Sequence, residues 1–380
     1  MSDMSDLARS DLINELQTHG MRLVDPRAGQ ESRRGGAGPS DHKAIIIGDT
    51  TVMIPVHTAP SFESPYLVEA PDDTGAARVL RDGAEVAQVR FPTKARFYAL
   101  KTADGIPYSQ IAALHSRDVL ATTVLQTCIR YESRKKTCQF CAIGQSLAAG
   151  RTIAHKTPEQ LAEVAKAAVE LDGVKHMVLT TGTPKGKDRG AQVMVDSARA
   201  IKAAVDLPLQ GQIEPPEDDI WHQRMFDAGI DTLGMHLEAV TPEVRERIMP
   251  GKATVPVAKY LSSFEAAVKV FGRGQVSTYI LAGLGDTREA ILEMGETLTR
   301  MGVYPFVVPF VPISGTPLES HPTPSAEFMA SILRPLGQMI ARQGILSSEM
   351  KAGCGKCGAC SALSTYERLK PPAEAERRIA

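Results

Sequence analysis

Residues 122–141 read TTVLQTCIRYESRKKTCQFC: a β-branched apolar run, a cysteine directly after it at 128, a charged loop, and two more cysteines at 138 and 141. Downstream, the order of short apolar run, polar loop and helical stretch recurs. Predicted strands lie at 122–127, 174–180, 207–213, 231–238, 275–281 and 304–311. Helical stretches fall between them at 157–171, 190–204, 217–228, 241–272 in pieces and 287–301, with another at 323–342. Pro158 before Glu159 and Pro242 before Glu243 mark helix starts. Proline has no N–H to lose in a first turn, and an acid there faces the positive end of the helix dipole. Strands alternating with helices of this length imply parallel βαβ units. Six units rather than eight predict an α/β fold, an open partial (β/α)6 barrel over 119–322.

Upstream, residues 1–118 read as a small β-rich domain. Leu7, Leu12 and Leu16 share one face of a helix candidate, and Arg33-Arg34-Gly35-Gly36-Ala37-Gly38-Pro39-Ser40-Asp41 reads as an irregular loop. A hairpin is expected from Ala44–Ile47 and Thr51–Val56 about the turn Gly48-Asp49, with further β runs at Ala77–Leu80 and Val86–Phe91. Residues 323–380 form a helix followed by a cysteine-rich segment.

With 380 residues, 43% of them hydrophobic, the chain can bury a core without covalent staples. Its 43 Lys and Arg against 44 Asp and Glu leave a net charge of −1, which argues against nucleic acid or an anionic membrane as partner. The most apolar stretch, Phe306–Ile313, is interrupted by Pro309 and Pro312 and falls short of the roughly 20 residues a spanning helix needs. Asp3 and Asp6 break the basic-then-apolar order of a secretory signal, so a cytoplasmic protein is expected. Six cysteines are too few for a disulfide scaffold in a chain of this length, and they divide into Cys128, Cys138, Cys141 and Cys354, Cys357, Cys360.

The first group sits in the loop after the first strand, and in barrels of parallel strands those loops carry the chemistry. Three thiolates from one loop can hold three irons of a [4Fe–4S] cluster and leave the fourth open. A zinc site would want a fourth protein ligand, for which His155 is the nearest candidate.

In these features the chain resembles the radical S-adenosylmethionine (SAM) superfamily, in particular its biotin-synthase and lipoyl-synthase-like branch, over roughly residues 120–320. Cys138-Gln139-Phe140-Cys141 is similar to the family's C-x-aromatic-C ending, which implies that Phe140 lies near the adenine. Thr181-Gly182-Thr183 takes the place of the Gly-Gly-Glu segment that approaches the SAM amino group. Glu238 with Arg245 resembles the pair that handles SAM's amino and carboxylate groups. Gly283-Leu284-Gly285-Asp286-Thr287 resembles the turn after strand five, and Pro309 through Gly315-Thr316-Pro317-Leu318 the ending of strand six. Two features depart from the family. The cysteines are spaced C-x9-C-x2-C instead of C-x3-C-x2-C, with Glu132–Lys136 as a charged excursion, and the Gly-Gly-Glu segment has lost its acid.

Strand side chains alternate, so Gln210, Gln212 and Glu214 share one face, as do His236 and Glu238. Turned inward they would line a polar cavity within the barrel; under loops they would cap helices or bind water. Gln212 and His236 join the expected cofactor-binding residues. His222, beside Trp221, reads as structural, and Lys185, Lys187 and Arg189 as a solvated turn.

The second group, Gly353-Cys354-Gly355-Lys356-Cys357-Gly358-Ala359-Cys360-Ser361, has the compact C-x2-C-x2-C spacing of cluster-binding ferredoxin loops without the usual fourth cysteine. A second [4Fe–4S] cluster is expected, zinc being the alternative, with Ser361, a substrate or a partner as fourth ligand. Lipoyl synthases carry an auxiliary cluster that is sacrificed as sulfur donor. Along its whole length, including Arg34–Asp41, the chain resembles radical SAM proteins of nitrilase-associated gene clusters and two-component lipoyl synthases. The resemblance implies reductive cleavage of SAM to a 5′-deoxyadenosyl radical and attack on an unactivated C–H bond, with sulfur insertion from the tail cluster. The implied partners are a small-molecule or carrier-bound substrate and an electron donor such as ferredoxin or flavodoxin. The rival readings are radical oxidation or rearrangement with the tail cluster passing electrons or holding substrate, and a zinc-binding interaction module.

Overall fold

The computed structural model describes residues 4–24 and 41–369, so all of the Arg33–Asp41 loop except Asp41 lies outside the described residues. The N-terminal region forms a sheet of β1 (Arg22–Leu23), β2 (His42–Ile47), β3 (Thr50–Pro55), β4 (Tyr66–Val68), β5 (Ala76–Arg81) and β6 (Ala84–Arg90). Their order is β1-β4-β5-β6-β2-β3. β2 and β3 make the expected antiparallel hairpin, Ile45 opposite Val52. Gly48 takes φ +63 in its turn, a backbone that suits a residue without Cβ.

The second sheet contains β7 (Ala113–His115), β8 (Val119–Thr123), β9 (His176–Thr180), β10 (Leu209–Gln212), β11 (Thr232–Gly234), β12 (Val276–Ala282) and β13 (Val303–Pro309), side by side in chain order. β8 to β13 are all parallel. Only β7 runs antiparallel, on the β8 edge. Each parallel step is made by a helical crossover, such as Pro158–Asp172 and Ala191–Ala204. Thr157 caps the first of these in a capping box with Gln160, Pro158 opens it, and Gly173 ends it in a left-handed conformation. The result is a partial (β/α)6 barrel.

Two strands differ from the sequence reading. The first ends at Thr123, where its pairing with β9 stops; beyond it Leu125 forms a bridge with His155. The fourth is only three residues long, because Leu237 donates its N–H to the Thr278 hydroxyl and Glu238 turns into φ +64.

An open barrel has two sheet edges that need cover. The cysteine tail lies between them: Ser361 Oγ donates to Val307 O of β13 at 2.6 Å, and Cys360 Sγ lies 3.8 Å from His115 Nε2 of β7. The N-terminal region holds the tail there, with Met53 N 2.7 Å and Gln17 Nε2 3.0 Å from Ala359 O. One hydrophobic core accordingly runs from Ile13, Ile45 and Ile54 through Leu179, Leu209 and Ile280 to Leu363 and Tyr366.

Lys156 is buried beside the first strand, its Nζ donating to Thr123 O at 2.6 Å and to Ile153 O at 3.3 Å. Burial pulls its pKa down from 10.5 to about 7. Between those values the unfolded chain holds a proton that the folded chain lacks, so stability rises with pH. The slope from this one group is up to about 1.4 kcal/mol per pH unit. Denaturant titrations between pH 7 and 10 should show that slope in the wild type and a flatter one in Lys156→Met.

Candidate active site

The first cysteine group crowns the barrel at the C-terminal ends of the strands. Cys141 N donates to Cys138 O in a tight turn, and the loop is sewn to strand four's helix by Gln139 N to Ile248 O at 2.8 Å and Gly251 N to Lys136 O at 3.0 Å. The charged excursion thus packs on neighbouring backbone. The backbone N–H of Arg130 points at Cys128 Sγ, 3.4 Å away, as backbone donors do toward cluster sulfurs. Burial pushes the Cys141 thiol up to about 12, and burial with the nearby Glu238 raises Cys138 well above the usual range. Such thiols stay protonated until a metal displaces the proton.

Gly182 explains why the segment after β9 is Thr-Gly-Thr. A Cβ there would lie 2.1 Å from Thr127 O and 3.0 Å from Cys128 Cβ, so only glycine allows the two loops to meet. Ile129 N then bonds Thr183 O at 2.9 Å. The missing acid of this segment has a neighbour from the next strand: Thr183 Oγ1 donates to Glu214 Oε1 at 2.7 Å. Glu214 also takes Arg130 at 3.0 Å and Arg189 at 3.1 Å. Burial alone would raise its pKa, but the Arg130 hydrogen bond and the Lys252 and Arg130 charges outweigh that and hold it low. Arg189 is therefore part of a buried ionic network, whereas Lys187 remains in the expected solvated turn.

Of the polar residues expected to face inward, Gln212, His236 and Glu238 line a cavity of about 340 Å³ together with Phe140 and Tyr279, whereas Gln210 and Glu214 do not line it. Phe140 packs with Leu284, Phe310 and Cys138, so strands five and six meet the cysteine loop there. Gly283, at φ +109, lies against Pro324, and its carbonyl meets His321 Nε2 at 2.9 Å. Asp286 caps the helix Pro242–Ile248 by accepting from Val240 N and Thr241 N, which holds the turn bearing Glu238.

The expected Glu238–Arg245 pair is not formed. Arg245 is buried, donating to the carbonyls of Leu237, Ala239 and Val255 and lying over the Tyr260 ring. Its guanidinium is consumed in bracing the loop. The cation that meets Glu238 is Lys252, at 2.8 Å, and the sequence pattern had not marked it. Burial works against its charge, but Glu238, Tyr260 and Glu214 keep it protonated. His236 accepts the Tyr279 N–H on Nδ1 at 3.1 Å, which leaves its proton on Nε2. That atom is buried without a partner, and burial, with the Lys252 charge, lowers the ring's pKa to about 3. A neutral N–H donor is left for a ligand. His222 is structural as expected, bonded to Ser263 at 3.1 Å, and His155 is exposed.

The second cysteine group closes the other end of the same cavity, near the strand N-termini. Cys354 and Cys360 line it, and Cys354 and Cys357 pack on Val119, Ala121 and Val178. Gln212 Nε2 donates to Cys354 Sγ at 3.1 Å, Gln210 Oε1 accepts from Cys354 N at 3.1 Å, and His176 Nδ1 accepts from Gly353 N at 3.3 Å. Burial, then the Cys357 charge, pushes Cys354 up to about 12. Ser361 does not stand ready as a ligand: its hydroxyl donates to Val307 O and accepts from Leu363 N at 3.1 Å.

A family profile of the radical SAM superfamily matches residues 134–298. The chain carries a radical SAM domain. Over 267 residues it is 25% identical to bacteriochlorophyllide c C-7(1)-hydroxylase of Chlorobaculum limnaeum, a match covering 65% of this chain and 66% of that protein. Over 174 residues it is 27% identical to lipoyl synthase of Marinobacter nauticus, covering 44% and 47% of the two. The chain thus spans less than two thirds of the length of either relative. The fold is similar to methylornithine synthase at a TM-score of 0.46 and 18% identity, over 68% of this chain and 75% of that one. Both of these sequence relatives are enzymes, in keeping with the radical SAM domain matched over residues 134–298.

The radical SAM family uses a [4Fe–4S] cluster with SAM, and the residues present suit both. Three half-buried thiols come from one loop, a backbone N–H already faces a sulfur, and the unpartnered His236 Nε2 belongs to a residue lining the adjoining cavity. Among the described residues no three His, Cys, Asp or Glu side chains converge as they would on a single metal ion. Cluster sulfurs, bound to different irons, need not. No helix among the described residues is long and apolar enough to cross a membrane.

Proposed function

We propose that the tail cysteines Cys354, Cys357 and Cys360 hold a second [4Fe–4S] cluster and that the enzyme inserts its sulfur into a substrate lying between the two cysteine groups. One observation carries this reading: Cys354 and Cys360 line the same cavity as Phe140 of the SAM-side loop. When bound, the first cluster and SAM supply a 5′-deoxyadenosyl radical that removes a hydrogen atom from a substrate carbon. The chain's part is to orient and exclude water. Phe140, Leu281, Val308 and Phe310 make the apolar wall, His236 Nε2–H offers a hydrogen bond to a substrate or SAM oxygen, and Lys252 pairs with Glu238 on the rim. Gln212 fixes Cys354 at the facing end. Thr181, Gly182 and Thr183 press the cysteine loop into place, with Gly283 and Leu284 closing the adenine side. The substrate is a small molecule or a carrier-bound group, and a ferredoxin or flavodoxin is the proposed electron donor.

The test is isotopic. Enzyme reconstituted with ³⁴S-sulfide should yield product carrying the label; product formed without it would sink sulfur insertion. The hydroxylase relative favours a second reading, oxidation of the substrate with the tail cluster passing electrons or binding substrate. Turnover separates the two, because a sacrificed cluster limits unreplenished enzyme to about one product per chain.

A further inference from the structure

Strand β10 joins the cysteine tail through two amides. Gln210 Oε1 accepts from Cys354 N at 3.1 Å, and Gln212 Nε2 donates to that same oxygen at 2.7 Å and to Cys354 Sγ at 3.1 Å. These contacts fix which way both amides point. A backbone N–H can only donate, so the Gln210 atom that meets it is the oxygen, and the Gln212 atom that meets that oxygen is the nitrogen. Gln210 Nε2 is engaged in turn by Ser277 Oγ at 3.2 Å, which pins the first amide from strand β12. A Cβ at Gly353 would lie 2.2 Å from that pinned Nε2, so a glycine there lets the tail come this close. Both glutamines are buried, and Gln212 lines the cavity together with Cys354.

The backbone of the tail sends its N–H groups elsewhere. Those of Cys357, Gly358 and Ser361 donate to the carbonyls of Gly353, Cys354 and Gly358, while Gly353 N goes to His176 and Cys354 N to Gln210. In the first cysteine loop, by contrast, the Arg130 N–H points at Cys128 Sγ. We propose that Gln212 sets the reduction potential of the tail cluster, its side-chain N–H standing at the Cys354 sulfur where a backbone donor stands in the first loop. The inference rests on the tail cluster proposed above and not on the fate of its sulfur. One-electron reduction adds negative charge that a cluster shares with its thiolates, and an N–H aimed at one of them stabilises the reduced form more than the oxidised one. The contact therefore raises the potential, and its loss lowers it.

The experiment is a redox titration, followed by electron paramagnetic resonance, of the full-length, anaerobically reconstituted protein. Gln212→Met keeps the length of the side chain without an N–H, and Gln212→Asn keeps an amide drawn back by one methylene. Both should hold the wild-type iron, about eight atoms per chain, and move the tail midpoint to a more negative value, Met further than Asn. The SAM-side midpoint, read alone in the Cys354/Cys357/Cys360 triple Ala variant, should not move in either. Thr180→Val alters another polar residue lining the cavity, whose hydroxyl meets Thr123, and should leave both midpoints in place. A wild-type tail midpoint in whichever Gln212 variants keep the tail cluster, or an equal shift in Thr180→Val, overturns the inference. Loss of the tail cluster from both Gln212 variants overturns it too, since the residue would then be a tether. About four irons in the wild type would remove the cluster itself, so the iron count tells a failure of the cluster reading from a failure of this one.

Discussion

Replacing Cys354, Cys357 and Cys360 together by Ala is expected to lower the iron of anaerobically reconstituted protein from about eight to about four atoms per chain. Labile sulfide should fall in parallel. Reductive cleavage of SAM should survive, because Cys128, Cys138 and Cys141 are untouched and Cys138 packs beside Phe140, apart from the tail. Formation of the sulfur-bearing product should be lost. The tail is also a structural plug: Ala359 O receives bonds from Met53 and Gln17, and Ser361 reaches β13. Those bonds come from residues between and after the cysteines, so the triple variant keeps them and should remain folded. Iron content unchanged by the substitution would show that the tail binds no cluster.

Gly182→Ala is expected to cost about 3 kcal/mol or more and to prevent assembly of the SAM-side cluster. Its added methyl would meet Thr127 O at 2.1 Å and Thr127 C at 2.8 Å, which are backbone atoms and cannot rotate aside. Relief requires the Cys128 loop to move away from β9, which would break the 2.9 Å bond between Ile129 N and Thr183 O. Gly211→Ala is the control, because a Cβ there meets nothing closer than 3.5 Å. Chemical denaturation and the visible absorbance of reconstituted protein read the two effects. A Gly182→Ala protein with wild-type stability and colour would show that the loops have room to spare.

Much of the barrel was legible from local pattern. Runs such as His176–Thr180 and Val303–Pro309 are largely apolar because parallel strands are buried on both faces, and Pro158-Glu159 and Pro242-Glu243 announce the helices that they open. The inward stripe of Gln210, Gln212, His236 and Glu238 followed from two-residue alternation, which holds wherever a strand stays regular. The family resemblance misplaced Arg245, because a long flexible side chain on a helix can turn to carbonyls as readily as to a ligand, and three were within reach. Lys252 was missed for a related reason: it belongs to a separate turn, Pro250–Ala253, whose meeting with Glu238 depends on how the loop folds back. Ser361 was a reasonable ligand by adjacency to Cys360, yet the nearest unpaired carbonyl of β13 claims its hydroxyl.

The sequence by itself determined the six parallel units, the two sets of three thiols and the family resemblance. Each of these depends on residues close together along the chain, where periodicity, capping and spacing act. Only the tertiary structure decided that the tail cysteines Cys354 and Cys360 line the cavity that Phe140 of the first loop also borders, and that the N-terminal hairpin and the tail cover the open side of the barrel. It also decided that Glu214 from the next strand stands where the segment after β9 lacks an acid. Those outcomes depend on contacts between residues as far apart as Gln17 and Ala359, or Gln212 and Cys354. Such contacts are selected by the burial of apolar surface and the pairing of buried polar groups over the whole molecule, and no local pattern encodes them.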